Sequence, residues 1–363
     1  MSELNNSPMF FLGANSPNGF VSYFAESFSA EDGWHTYIIK GGPGTGKSTV
    51  MKRVALYFLK QNIRVSLCPC SSDPTSLDAV IFPDVKIVLL DGTSPHLVDP
   101  KYPGVCEEII NLGDCWDENI LENNRNAVIN LTDQNKMLHK RVRNYLSAAA
   151  ALLEDTTQIS APYVNEEKAK IFAARLCKKH IPKAKAKGRE WLRFLSGVTP
   201  KGPYFFKKTI EKLAKKRIVI SDEYGVLAPL IMGEIRDYAL KNGHEIISCK
   251  CPFFPENKYE HIFIPSLSLV FCTSNRFHTI KSDERVIHAR RFMDISKLHN
   301  HRARLSYNRK AVEELLSIAT DSLSEAKQVH DELEAHYIKA MNFEKINAYS
   351  EILLRKILNH IKT

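Results

Sequence analysis

Eight residues, Gly41-Gly42-Pro43-Gly44-Thr45-Gly46-Lys47-Ser48, constrain this chain more than any other feature of it. They satisfy the spacing G-x-x-x-x-G-K-[ST] and sit between an apolar run at 36–40, read as a strand, and an amphipathic helical pattern at 47–61. That order is the one in which such a loop works. The glycines let successive N–H groups turn toward a phosphate, and the helix start adds partial positive charge. Lys47 is expected to bridge the β and γ phosphates and the Ser48 hydroxyl to ligate Mg²⁺, with Gly42, Pro43, Gly44, Thr45, Gly46 and Thr49 completing the nucleotide-binding stretch.

Such a loop also needs a carboxylate at the end of a neighbouring strand. Ile87-Val88-Leu89-Leu90-Asp91 supplies one, which makes Asp91 the second metal-side and catalytic residue. Gly92 follows it where many fast ATPases carry a water-activating Glu, so slow hydrolysis is expected. Asp73, in Cys70-Ser71-Ser72-Asp73-Pro74, falls where a sheet edge collects ligand groups and is a third catalytic candidate, able to orient water or take a proton; a turn cap explains it equally well. His96 approaches the same edge, although a lone histidine is more often structural.

The chain echoes itself. Phe11–Gly19 matches Phe194–Gly202 at an offset of 183, Cys68-Pro69-Cys70 matches Cys249-Lys250-Cys251 at 181, and Ile81-Phe82-Pro83 and His96 match Phe263-Ile264-Pro265 and His278 at 182. Ordered landmarks at one spacing argue for a duplicated unit, with boundaries expected at 1–180 and 181–363. The expected fold is α/β: duplicated P-loop NTPase-like units with mainly parallel sheets and helical C-terminal extensions, the long helices lying near 120–153, 164–179 and 308–361. At an offset of 181 the phosphate loop falls on Asp222–Pro229, so Lys47 meets Ala228 and Ser48 meets Pro229; at 182, Asp91 meets Thr273. The second half therefore reads as degenerate, a partner or regulatory surface that forms an intramolecular pseudo-dimer with the first.

Composition narrows the setting. No run approaches the roughly 18 apolar residues of a membrane span, residues 1–11 lack the pattern of an export signal, and the eight cysteines include no C-x-x-C pair, so a cytoplasmic protein with reduced thiols is expected. The two Cys-x-Cys pairs are too closely spaced for a closed zinc site and read as buried strand ends. Residues 161–220 carry 17 Lys and Arg against 4 Asp and Glu, a stretch that would suit a nucleic-acid backbone or, more blandly, a solvated linker. Arg290 and Arg291 are available as phosphate-facing cations but read as surface residues.

The chain resembles a family of uncharacterised bacterial P-loop ATPases built from two tandem P-loop-like halves. The resemblance is carried by Gly13-Ala14-Asn15 to Gly19-Phe20, Ile39 to Ser48, Cys70 to Pro74, Leu90 to His96, Val98 to Gly104 and Asn111 to Asp114. It implies ATP and Mg²⁺ binding and ATPase activity without an assigned substrate; similar members keep a second phosphate loop that is missing here. The function expected from the whole is a Mg²⁺-dependent ATP-binding protein, a slow ATPase coupled to a conformational change between its halves. A small-molecule kinase and a nucleotide-gated nucleic-acid binder are the alternatives.

Overall fold

The computed structural model describes residues 3–24, 27–280 and 286–362. The chain opens with β1 (Gly13–Ser16), β2 (Gly19–Ser22), β3 (His35–Lys40), α1 (Lys47–Lys60), β4 (Ser66–Pro69), β5 (Leu77–Phe82), β6 (Ile87–Asp91) and β7 (Glu107–Asn111). Next come α2 (Glu118–Asn123), α3 (Arg125–Ser160), α4 (Glu166–His180), β8 (Arg189–Arg193), β9 (Ser196–Thr199), β10 (Gly202–Phe205), α5 (Lys207–Leu213), β11 (Lys216–Ser221) and α6 (Leu227–Lys241). The remainder is β12 (Glu245–Cys251), β13 (Phe254–Ile264), β14 (Leu269–Ser274), β15 (Val286–His288), α7 (Ile295–Leu298), α8 (Arg302–Ala340) and α9 (Phe343–Lys362). Among the described residues no helix is long and apolar enough to cross a membrane.

Two compact units result, and neither is a continuous piece of chain. The first comprises Met1–Gly13, Ser22–Arg141 and Asp321–Thr363; the second comprises Ala14–Val21 and Val142–Thr320. A single cut near 180 therefore does not describe them. The C-terminal helix α9, expected in the second half, buries Ile346, Leu353 and Ile357 in the core of the first unit, beside Val50, Val54 and Phe58 of α1. This apolar stripe has its partner there, and partnering decides where an amphipathic helix goes.

The first sheet runs β4-β5-β6-β3-β7. β3 is parallel to β6 and β7, but β5 is antiparallel to both β4 and β6, so the sheet is mixed rather than mainly parallel. The reason is connection length: only 70–76 and 83–86 separate β5 from its neighbours, too few residues for a crossover helix, so the chain must turn back. The second sheet, β15-β11-β14-β13-β12-β8, repeats the plan. β11 is parallel to β14 and β15, β13 is antiparallel to β12 and β14, and β8 adds a parallel edge. The α6 face made of Leu227, Ile231, Met232 and Ile235 is buried in this unit's core, where Ala169 and Ala173 of α4 also lie.

Register carries the sequence echo into three dimensions. Cys68, Ala79 and Leu90 are successive cross-strand neighbours in the first sheet, and Cys249, His261 and Cys272 are so in the second, at the offsets of 181 and 182 seen in the sequence. Phe58 anchors α1 on its sheet, fully buried with its ring 4.8 Å from that of Phe82. Phe58→Ala should therefore lower unfolding stability by about 3–5 kcal/mol, read by denaturant unfolding, with the loss set by the cavity it leaves.

Candidate functional site

The site begins where β3 ends. Gly44 and Gly46 adopt φ of +70° and +87°, left-handed angles that a side chain would strain, and Gly46 caps α1 without contributing any side-chain hydrogen bond. The first amides of α1 thus depend on something other than a Ser or Asp cap. Thr45, fully buried, closes the turn by donating from Oγ1 to the Gly42 carbonyl at 2.8 Å.

An anion already approaches this loop. The Gly44 amide donates to Oε1 of Glu334 on α8 at 3.2 Å, and α8 lies so close that a Cβ on Gly42 would sit 2.5 Å from Cε1 of Tyr337. A Cβ on Gly44 would meet the Glu334 carbonyl at 2.9 Å and Ile338 at 3.0 Å. Glycine at 42 and 44 is what allows the helix to lie over the loop. The Glu334 carboxyl is held below its usual range by a hydrogen bond from His330, with the charge of Lys327 and the Gly44 amide helping, against the opposing effect of burial. Neither Glu334 nor Tyr337 was legible as a site residue: 290 positions separate Glu334 from Gly44.

Lys47 folds back onto its own loop, donating to the carbonyls of Gly41 at 3.0 Å and Gly42 at 2.7 Å, with Nζ 3.7 Å from Oδ2 of Asp91. The sheet makes this meeting possible, since Ile39 at the end of β3 is the register partner of Asp91 at the end of β6. Asp91 is raised above its ordinary pKa by burial, which Lys47 and the Thr93 hydrogen bonds only partly offset. Ser48 stands at the first turn of α1, where its Oγ accepts from the Leu77 amide at 2.9 Å. Thr49 is exposed and Pro43 is half-buried.

Asp73 is engaged within its own turn. Its carboxylate accepts from Thr75 N, Thr75 Oγ1 and Ser76 Oγ and lies 3.7 Å from Lys327, so it caps its turn. Despite burial, those hydrogen bonds and Lys327 lower its pKa, the wrong direction for a base. His96 does reach the edge, but through a residue the sequence reading passed over: its Nε2 lies 3.3 Å from Oδ2 of the buried Asp78. Burial alone would lower the His96 pKa; the Asp78 carboxylate outweighs it and raises the value. An acid inside the apolar strand Leu77–Phe82 was the available signal.

The corresponding turn in the second unit, between β11 and α6, is one residue shorter than the loop between β3 and α1. With the helix starts matched, Lys47 falls on Leu227 and Ser48 on Ala228, one position before the residues inferred from a uniform offset. Asp222 was expected to repel phosphate; it does more. Its carboxylate accepts from the amides of Gly225 at 3.0 Å, Leu227 at 2.8 Å and Ala228 at 2.8 Å, and it is 1% exposed. Thr273, opposite Ile220 in register, replaces Asp91. Arg290 pairs with Glu223 at 2.7 Å, and Arg291 lies against Phe172 and Phe292. The basic stretch 161–220 is spread over α4, β8, β9, β10, α5 and β11, with Lys183, Lys185 and Lys187 exposed in the α4–β8 connection.

Because Asp222 satisfies three buried amides, Asp222→Ala should destabilise the protein by at least about 1–3 kcal/mol in denaturant unfolding, whatever ligand is present. Asp222→Asn, which keeps an acceptor oxygen, should cost less. No protein-family model matches this chain, and neither a curated protein nor a solved structure matches it.

Proposed function

We propose that the first unit binds ATP with Mg²⁺ and hydrolyses it slowly, and that Glu334 gates the site. The observation that carries the reading is the meeting of Glu334 with the Gly44 amide: the loop takes up an anion where a phosphate would be cradled. The donor set suits a polyphosphate and a hard cation. Amides and one ammonium face the anion, and a hydroxyl and a carboxylate are available to the metal's water shell.

In this reading Lys47 exchanges the Gly41 and Gly42 carbonyls for phosphate oxygens, and Ser48 and Asp91 hold Mg²⁺, which supplies charge neutralisation for phosphoryl transfer. Glu334 and Tyr337 must first leave the loop. They belong to α8, a helix that begins at Arg302 within the second unit, so opening the site moves an element the two units share along the chain. The common strand order and register of the two sheets support a duplicated P-loop-like ancestry, with Asp222 as the device that retired the second loop. The hydrogen bonds that engage Asp73 within its own turn leave its carboxylate less available to a hydroxyl acceptor, which supports hydrolysis over a kinase.

Calorimetry and phosphate release test this. Lys47→Ala should abolish Mg·ATP binding in a folded protein; unchanged affinity would overturn the assignment. Asp91→Asn should reduce turnover far more than affinity. Glu334→Ala should do the opposite of a normal site mutation and tighten ATP binding about tenfold, the equivalent of one charge-assisted hydrogen bond no longer competing. Stoichiometry should be one nucleotide per chain.

A further inference from the structure

We propose that Glu260, His261 and His278 bind one divalent transition-metal cation in the second unit, through a carboxylate oxygen and two imidazole nitrogens. Glu260 and His261 are neighbours on β13, and His278 follows β14 in a turn fixed by Asn275, whose side chain accepts from the His278 amide at 3.2 Å. Their donor atoms lie within 4.8 Å of one another, and the three residues are 3%, 0% and 4% exposed. Around an ion with bonds near 2.0–2.1 Å the donors would stand about 3.3 Å apart, so modest side-chain rotation closes the set.

What makes this more than a buried cluster is the state of the rings. Nδ1 and Nε2 of both histidines are buried, and neither nitrogen of His261 has a hydrogen-bond partner. The Thr273 carbonyl accepts from one ring nitrogen of His278, which fixes that ring and leaves its other nitrogen unpartnered. Phe205 stacks on His278 at 4.9 Å and lies 5.6 Å from His261, and the two imidazoles are 4.9 Å apart. Packing therefore accounts for the ring faces and leaves the nitrogen edges unexplained. Native proteins rarely leave three such atoms orphaned, and a metal is a standard reason for the exceptions. Burial lowers the pKa of both rings, His261 strongly, so each offers a neutral nitrogen with a free lone pair.

The first unit provides an internal comparison. At the offset of 182 its equivalents are Asp78, Ala79 and His96; the second imidazole is absent, and the acid and histidine already pair at 3.3 Å. Cys70 completes a three-donor group there, but one whose charges are internally matched. Two imidazoles and a carboxylate suit zinc and its borderline neighbours better than calcium or magnesium, and three protein donors leave a position open. Glu260 also lines a cavity of about 440 Å³ bordered by Lys258, Arg276 and Asn308.

The full chain, stripped with a chelator, is titrated with Co²⁺ and followed by visible absorption, then challenged with Zn²⁺. One Co²⁺ per chain, displaced by Zn²⁺, is expected. His261→Ala and His278→Ala should each weaken binding at least about 100-fold, whereas Cys70→Ser and Lys47→Ala should leave it unchanged, which separates this site from the nucleotide site. Because either histidine variant could fail to fold, the wild-type Tm is measured as well; Zn²⁺ at 100-fold excess over Kd should raise it by roughly 5 °C. Absence of both Co²⁺ binding and a Tm shift overturns the proposal, as does binding that survives both histidine substitutions or disappears with Cys70→Ser.

Discussion

Amides left unpaired where a strand runs into a helix attract an anion, and both units of this chain supply a carboxylate to them. The two carboxylates differ in how firmly they are held. Asp222 lies in the turn itself, takes three amides at 2.8–3.0 Å and is almost wholly buried. Removing it would strand those donors. Glu334 reaches Gly44 through one bond of 3.2 Å from the surface of a helix remote in sequence, and His330 and Lys327 stand ready to keep it charged when it leaves. A cap built into the turn is permanent; one delivered by a separate element is exchangeable. That difference, and not only the lysine, distinguishes the two turns.

Register decides what each loop faces. Ile39 opposite Asp91 brings a carboxylate to Lys47, while Ile220 opposite Thr273 brings a hydroxyl, whose hydrogen is spent on the Glu260 carbonyl at 2.7 Å. The second unit thus has Thr273 where the first has Asp91, the ammonium beside its turn comes from Lys258 of β13, and the turn around Asp222 is one residue shorter.

The phosphate loop, β3, α1 and β6 were legible because each is specified locally, by glycine spacing, apolar period or a strand ending in Asp. β5 was not: all six of its residues are buried, so the apolar–polar alternation that marks a half-exposed strand is absent. Its position makes the sheet mixed and carries Asp78, so missing the strand also meant missing the partner of His96. The contact of Glu334 and Tyr337 with the loop was out of reach for another reason. In sequence, His330 and Glu334 form an ordinary i, i+4 pair on a long helix, the mark of a solvated face, and nothing local tells which helix turn covers which loop. The docking of α9 in the first unit is of the same kind, a pairing of apolar stripes far apart in the chain.

His96 and His278 occupy equivalent places yet are driven in opposite directions, and the cause is the charge around them. At the first sheet edge Asp78 and Asp91 are both buried carboxylates, and each needs a cation in a medium that penalises lone charge. Lys47 serves Asp91 and His96 serves Asp78, so His96 is pulled toward protonation despite its burial. In the second unit Thr273 removes one of those charges and amides take up Asp222, while Lys258 lies close to Glu260 and lowers the pKa of His278. Burial outweighs the pull of Glu260, Lys258 adds to it, and the His278 pKa is lowered, beside a second imidazole whose pKa burial also lowers, where the first unit has Ala79. The differences at Asp222, His261 and Thr273 thus act together on the charge around the second unit's histidine pair.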